Sequence, residues 1–343
     1  MKAAILYGKT DMRIENRPRP VPKAGEVLVR VKAVGVCGSD VHYYVYGKIG
    51  DQIIRKPQSV GHEFMGIVEA LGPGVQKPEA GTRVACDPNI NCGKCRWCIE
   101  GKPNCCPNVK FYGTPPVEGA FQEYVTHPAE LCYEIPEAMS DEDAALLEPL
   151  GIGMHAVDIA PVRLGDTVAV FGSGPIGLVT AASARAAGAA KIYMTDVIPY
   201  RCAFAEKFIA DGVANPKEID VVKWLKDLTH GEGPDVVYEC AGEEQCVHQA
   251  VNSVRIGGKC CIVGIPKQDV MSFPAHIARR KELALAHVRR ARFVVKEGIA
   301  IMDAGLVQLS DMVTHSFPLD DVDKALNLVH NYEDGVIKAM ILP

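Results

Sequence analysis

The chain has 343 residues, 48% of them hydrophobic and 23% charged, with a formal net charge of −5. Its length exceeds one ordinary domain and suits two. Its composition is that of a globular protein, and the acidic balance argues against broad nucleic-acid binding. No apolar run reaches the length of a membrane span, and Met1-Lys2-Ala3-Ala4-Ile5-Leu6 reads as an opening strand rather than a secretion signal, so a cytoplasmic protein is expected.

Up to about residue 150 the sequence is rich in glycine, proline and short β-branched runs. Strands are expected over 27–34 and 65–70, in an irregular β-rich domain. From about residue 165 the texture changes. Strands are expected at 167–171, 191–195, 235–239 and 259–263, with helices at 176–187, 200–210 and 243–254. Alternation at this pitch predicts βαβ units, a parallel sheet and the α/β class. After about residue 285 one amphipathic helix, 322–332, precedes a last strand, 337–341, and the two need a sheet to join. The expected division is therefore 1–150 with 286–343 as one domain and 151–285 as the other.

Gly172-Ser173-Gly174-Pro175-Ile176-Gly177 fits G-x-G-x-x-G, directly after a strand and at the start of a helix, and Asp196 ends the next strand. In that context Gly172 permits a tight turn, Gly174 admits a pyrophosphate close to the backbone, and Gly177 lets helix pack on strand. The helix start offers free N–H groups to phosphates. Asp196 would accept from the adenosine ribose hydroxyls and repel a 2′-phosphate, which favours NAD over NADP. Arg201 complicates that preference, since it could rescue a phosphate or rest on the adenine.

Thirteen cysteines without a secretion signal argue for metal ligation in a reducing compartment rather than a disulfide framework. Cys86, Cys132, Cys202, Cys240, Cys246, Cys260 and Cys261 read as small buried hydrophobes. Cys92, Cys95, Cys98 and Cys106 instead follow the spacing C-x2-C-x2-C-x7-C. Two short steps and a longer return suit four thiolates around one Zn²⁺, a closed and therefore structural site, with an iron–sulfur cluster as the alternative.

Cys37 in Gly35-Val36-Cys37-Gly38-Ser39-Asp40 and His62-Glu63 in Gly61-His62-Glu63-Phe64 would not be joined into a site by spacing alone. In order with the four-cysteine lobe, the turn at 172–177 and Asp196, they resemble the zinc-containing medium-chain dehydrogenase/reductase family over essentially the whole chain. His42-Tyr43-Tyr44, Tyr46-Gly47-Lys48-Ile49-Gly50, Gly113-Thr114-Pro115-Pro116 and Glu148-Pro149-Leu150 are similar to its polyol branch, the sorbitol and xylitol dehydrogenases. In alcohol dehydrogenases proper, a cysteine stands where Glu148 stands here.

The resemblance implies a GroES-like catalytic domain and a doubly wound Rossmann coenzyme domain. It implies Cys37, His62 and Glu63 as ligands of a catalytic zinc, with Glu148 bound directly or through water. Ser39 and the nicotinamide ribose would pass the substrate proton to His42. Val263, Gly264 and Ile265 would join the cofactor site, and Tyr43, Phe111, Glu148 and Arg290 would line the substrate pocket. The polyol branch often has an aromatic residue after that arginine, whereas this chain has Ala291. The implied reaction is NAD-linked interconversion of a polyol and its 2-keto sugar by a homotetramer. Rival readings are a zinc dehydrogenase for threonine, a vicinal diol or a sugar-alcohol phosphate, and a non-enzymatic NAD-binding protein.

Overall fold

The structure, a computed structural model, describes residues 1–266, 268–292 and 294–343. The chain forms two compact units: Met1–Glu148 with Val295–Pro343, and Pro149–Val294. The return to the first unit thus comes at Val295, later than the expected residue 286. The reason is strand Ala284–His287, which pairs in parallel with Lys259–Ile262 and holds this stretch in the second unit.

The first unit is built on a seven-stranded sheet. Its order is Cys132–Glu134, Arg83–Cys86, Glu63–Leu71, Glu26–Gly35, Lys338–Leu342 and Val313–Pro318, and Tyr124–Pro128 also pairs with Glu26–Gly35. The central strand reads EVLVRVKAVG, and Val27, Val29, Val31 and Val34 feed one core with Leu6, Phe64, Phe121 and Ile341. Each such side chain contributes about 2 kcal/mol by leaving water. Helix Val322–Asn331 carries the chain between the last two strands, burying Val322, Ala325 and Leu326 at helical spacing.

The second unit holds six strands, all parallel, in the order Gly212–Ala214, Lys191–Thr195, Thr167–Phe171, Val236–Glu239, Lys259–Ile262 and Ala284–His287. A parallel sheet is covered on both faces, so its strands are apolar throughout rather than alternating. The run VAVF at 168–171 and the run VVYE at 236–239 are buried without interruption. Strand order reverses between Thr167–Phe171 and Val236–Glu239, and such a reversal opens a crevice at the strands' carboxyl ends. Among the described residues, no helix is long and apolar enough to cross a membrane.

Candidate metal centres and dinucleotide site

The four-cysteine lobe converges as its spacing predicts. Cys95 Sγ lies 3.5 Å from Cys98 Sγ and 3.7 Å from Cys106 Sγ, and Cys106 Sγ lies 3.5 Å from Cys92 Sγ. A tetrahedron with metal–sulfur arms of about 2.3 Å has edges of about 3.8 Å, so these thiols fit one zinc ion. That gap is too small for a multi-iron cluster. Backbone N–H groups of Lys94 and Cys95 point at Cys92 and pull its thiol down to about 6, toward the thiolate a metal needs.

The second donor group unites three residues that the sequence leaves far apart. Ligand atoms of Cys37, His62 and Glu63 all lie within 4.8 Å of one another. The sheet does this by register: Glu63 is paired with Gly35, two residues before Cys37. Cys37 caps helix Gly38–Tyr46. Asp40, fully buried, organises the group. Its carboxylate accepts from Cys37 N and Gly61 N, both at 3.0 Å, and stands 3.4 Å from His62 Nδ1. Nδ1 is thus tied to a carboxylate and Nε2 remains for a metal. Burial works to lower the His62 pKa, but the charges of Asp40 and Cys37 outweigh it and raise it well above the ordinary value. Asp40 and Cys37, gathered around this buried imidazole, form a setting that would attract a divalent ion.

Glu148 lies in the first turn of helix Leu147–Ile159 and is partly buried. Burial pushes its carboxyl up to about 7, opposed by the charge of His62 and reinforced by that of Glu63. It senses the three-donor group without belonging to it. Sequence reasoning missed two residues here. For Asp40 the sequence signal is an acid in the first turn after a candidate ligand. The other is Lys338. It is buried, and its ammonium pairs with Glu63 Oε2. A lone charge in the apolar run Val336-Ile337-Lys338-Ala339-Met340-Ile341 was its signal.

In the second unit the glycine-rich turn has the geometry of a phosphate cradle. Gly172 has φ of +100°, which side chains rarely adopt. A Cβ on Gly177 would overlap Gly172 O, so helix Pro175–Ala186 can start only with glycine there. A Cβ on Gly174 would meet only Arg201, whose Nη1 is 3.3 Å from that point, so the front of the turn is otherwise open. Ile176 lies in the first helical turn. Asp196 directly follows strand Lys191–Thr195 and accepts from Ser173 N at 2.8 Å and Ile198 N at 2.9 Å. Those bonds orient the carboxylate and leave lone pairs for ribose hydroxyls. Val263, Gly264 and Ile265 follow strand Lys259–Ile262 at the same end of the sheet.

Comparison with known proteins agrees with this geometry. The alcohol dehydrogenase GroES-like domain family matches residues 23–137, and the zinc-binding dehydrogenase family matches 175–303. Sorbitol dehydrogenase of Bacillus subtilis (strain 168) is 37% identical over 343 residues, covering 100% of this chain and 97% of that protein. The chain belongs to the zinc-containing medium-chain dehydrogenase/reductase family. A probable D-xylulose reductase A of Arthroderma otae is 38% identical over 331 residues, covering 95% of this chain and 93% of its own. The solved structure of ECK1772 from Escherichia coli, an oxidoreductase of unknown specificity, superimposes with a TM-score of 0.94 at 35% identity, covering 99% of this chain and 98% of that one. This dehydrogenase is therefore an oxidoreductase acting on alcohols, with a GroES-like unit and a Rossmann unit.

The residues expected to touch substrate in this dehydrogenase fall in both units. Phe111 packs edge-on against the His62 ring, centroids 5.3 Å apart. Tyr43 is buried, and its hydroxyl donates to Gln52 Oε1 at 3.2 Å. Arg290 belongs to the second unit and has φ of +55°, an uncommon backbone state for a non-glycine residue. Its neighbour Arg292 is paired with Asp158 at 2.6 Å.

Proposed function

We propose that this dehydrogenase oxidises an uncharged polyol at a secondary hydroxyl to a 2-keto sugar, passes the hydride to NAD, and catalyses the reverse reduction. The observation that carries this reading is the Cys37, His62 and Glu63 group: three converging donors, only one of them a thiol. Three protein donors leave a tetrahedral ion one position for substrate, whereas the four-cysteine lobe leaves none. Relatives named for sorbitol and D-xylulose, matched along nearly their full lengths, support the substrate class.

When bound, zinc supplies Lewis acidity toward the alcohol oxygen and NAD supplies the hydride acceptor. The chain's own residues do the rest. Cys37, His62 Nε2 and Glu63 hold the ion, and Asp40 fixes the imidazole tautomer. Glu148, with its carboxyl near neutrality, stands beside them to bind a substrate hydroxyl or the ion. Ser39 and His42 lie three apart on helix Gly38–Tyr46, hence on one face, and His42 is partly exposed. That pair carries the hydroxyl proton from Ser39 to His42 and on to solvent. Asp196 takes the ribose hydroxyls of NAD, and the turn at 172–177 takes its pyrophosphate.

A phosphorylated substrate would need several converging cations. In the basic stretch, Arg292 is committed to Asp158, and Lys281 Nζ donates to the backbone oxygens of Val251, Asn252 and Val254. We extend the proposal to a homo-oligomer, because Ala284–His287 ends the six-stranded sheet and offers an edge for a second copy. The deciding experiment is a panel of pentitols, hexitols, their phosphates, threonine and a vicinal diol with NAD, read by NADH absorbance. A pentitol or hexitol should give the highest kcat/KM, with weak dependence on salt. A hexitol phosphate turned over far faster, with rates falling steeply as ionic strength rises, would make the arginines a phosphate site. No NADH from any alcohol would leave only the non-enzymatic reading.

A further inference from the structure

Two ionised side chains, Lys338 and Glu63, are buried together in the first unit at 2% and 1% exposure. Lysine is almost never buried unless paired, and a buried ion pair holds a fold together no better than well-packed apolar residues of the same volume. Its presence here therefore calls for a reason other than stability. Its place in the sheet supplies one. On the central strand, Gly35 is paired on one side with Glu63 and on the other with Met340, and Val36 N donates to Ala339 O at 2.9 Å. Continuing that register sets Lys338 opposite Cys37. Two strands and the turn that follows the strand between them thus deliver a carboxylate, an ammonium and a thiol to one spot. The room for them is also specific. A Cβ on Gly35 would overlap Glu63 Oε2 and approach Lys338 Cε to 3.0 Å, so the absence of a side chain at residue 35 is what lets the pair meet.

We propose that Lys338 is a positioning residue for the catalytic metal, holding one carboxylate oxygen of Glu63 so that only the other is offered to the ion. This rests on the metal position proposed above. Two consequences follow from charge and geometry. A carboxylate ion-paired through Oε2 would serve as a one-oxygen ligand, which leaves the remaining coordination position to substrate. The charges of Glu63, Cys37 and Glu148 all act on the ammonium, so it offsets part of the negative charge those groups gather around the metal. A less electron-rich ion is the stronger Lewis acid. Without the ammonium, Glu63 would be free to give both oxygens, and the ion would be held more tightly but activate an alcohol less.

The test uses the metal-loaded enzyme with Lys338→Met and Lys338→Arg, and with cobalt in place of the catalytic zinc. Lys338→Met, which removes a positive charge close to the ion, should release that metal to a chelator several-fold more slowly. Its cobalt absorption bands should shift toward higher coordination, and kcat should fall with NADH affinity unchanged. Lys338→Arg, which keeps the charge, should restore the wild-type spectrum and most of kcat. Retention of the four-cysteine zinc reports folding. If Lys338→Met does not fold, Gly35→Ala takes its place, since the added methyl pushes Glu63 off Lys338 with both charges kept, and its cobalt bands should also shift. Wild-type spectra and release rates in the variants, whatever their activity, would overturn the role of Lys338 alone. A wild-type chain that takes up only the four-cysteine zinc would remove the metal position and the role of Lys338 with it.

Discussion

At the scale of single residues, Asp196 shows how an anion can be oriented before its ligand arrives. Ser173 N and Ile198 N hold its two oxygens from either side, and it is almost fully buried. A 2′-phosphate beside it brings up to about two negative charges. At 4 Å and an effective dielectric near 20, each pair of charges costs roughly 4 kcal/mol before screening. A third of that is about 1.4 kcal/mol, or tenfold in specificity. Asp196→Ala should therefore narrow the ratio of kcat/KM for NAD over NADP by about tenfold or more. Arg201, bordering Gly174, is placed to take up the phosphate once the carboxylate is gone. Steady-state kinetics with both cofactors measures this, and an unchanged ratio would mean that other residues set the preference.

At the scale of elements, the four-cysteine lobe cannot support itself. Its helix Arg96–Ile99 has four residues and buries none of them, and its strands Asn89–Ile90 and Lys110–Phe111 have two residues each. Helices and hairpins this short are unstable alone in water. The metal supplies what the missing core does not, because binding free energy at a structural zinc site is folding free energy. Metal analysis should thus find about two zinc ions per subunit in the wild type and about one in Cys95→Ser. The variant should melt several degrees lower. Some activity should survive, reduced through Phe111, which joins the lobe to the His62 ring. A variant with full zinc and unchanged melting would show that Cys95 is no ligand.

At the scale of the whole molecule, the two units have separate cores, one around Val29, Phe64 and Phe121 and one around Phe171, Val237 and Leu225. The candidate metal donors Cys37, His62 and Glu63 belong to the first, and the turn at 172–177 and Asp196 to the second. Damage at one site should then spare the other. Cys37→Ser should abolish turnover while NADH, followed by its fluorescence, binds with nearly wild-type affinity. Near-normal turnover would remove Cys37 from the catalytic site, and lost NADH binding would show that the two units are not independent.

The sequence alone determined what is local. Each strand–helix step of the second unit lies within a few tens of residues, so periodicity and glycine placement suffice to read the parallel sheet and the cofactor turn. The four cysteines are equally legible, because one short loop carries all of them. Short elements are less legible: the helices Asp141–Ala145, Val221–Leu228 and Val295–Asp303 are among those periodicity does not reveal, and the edge strand Ala284–His287, short and only partly buried, delays the chain's return to Val295. The candidate catalytic group is of another kind. Resemblance named Cys37, His62 and Glu63, but only tertiary structure decided how they meet, which nitrogen of His62 is left for a metal, and that Glu148 stands just outside the group. Lys338 shows why. It reaches Glu63 because the last strand of the chain lies beside the central strand of the sheet, on the far side of a glycine. Hydrophobic pattern specifies that a strand exists and which face it buries, but the partner it pairs with is set by the packing of the whole sheet.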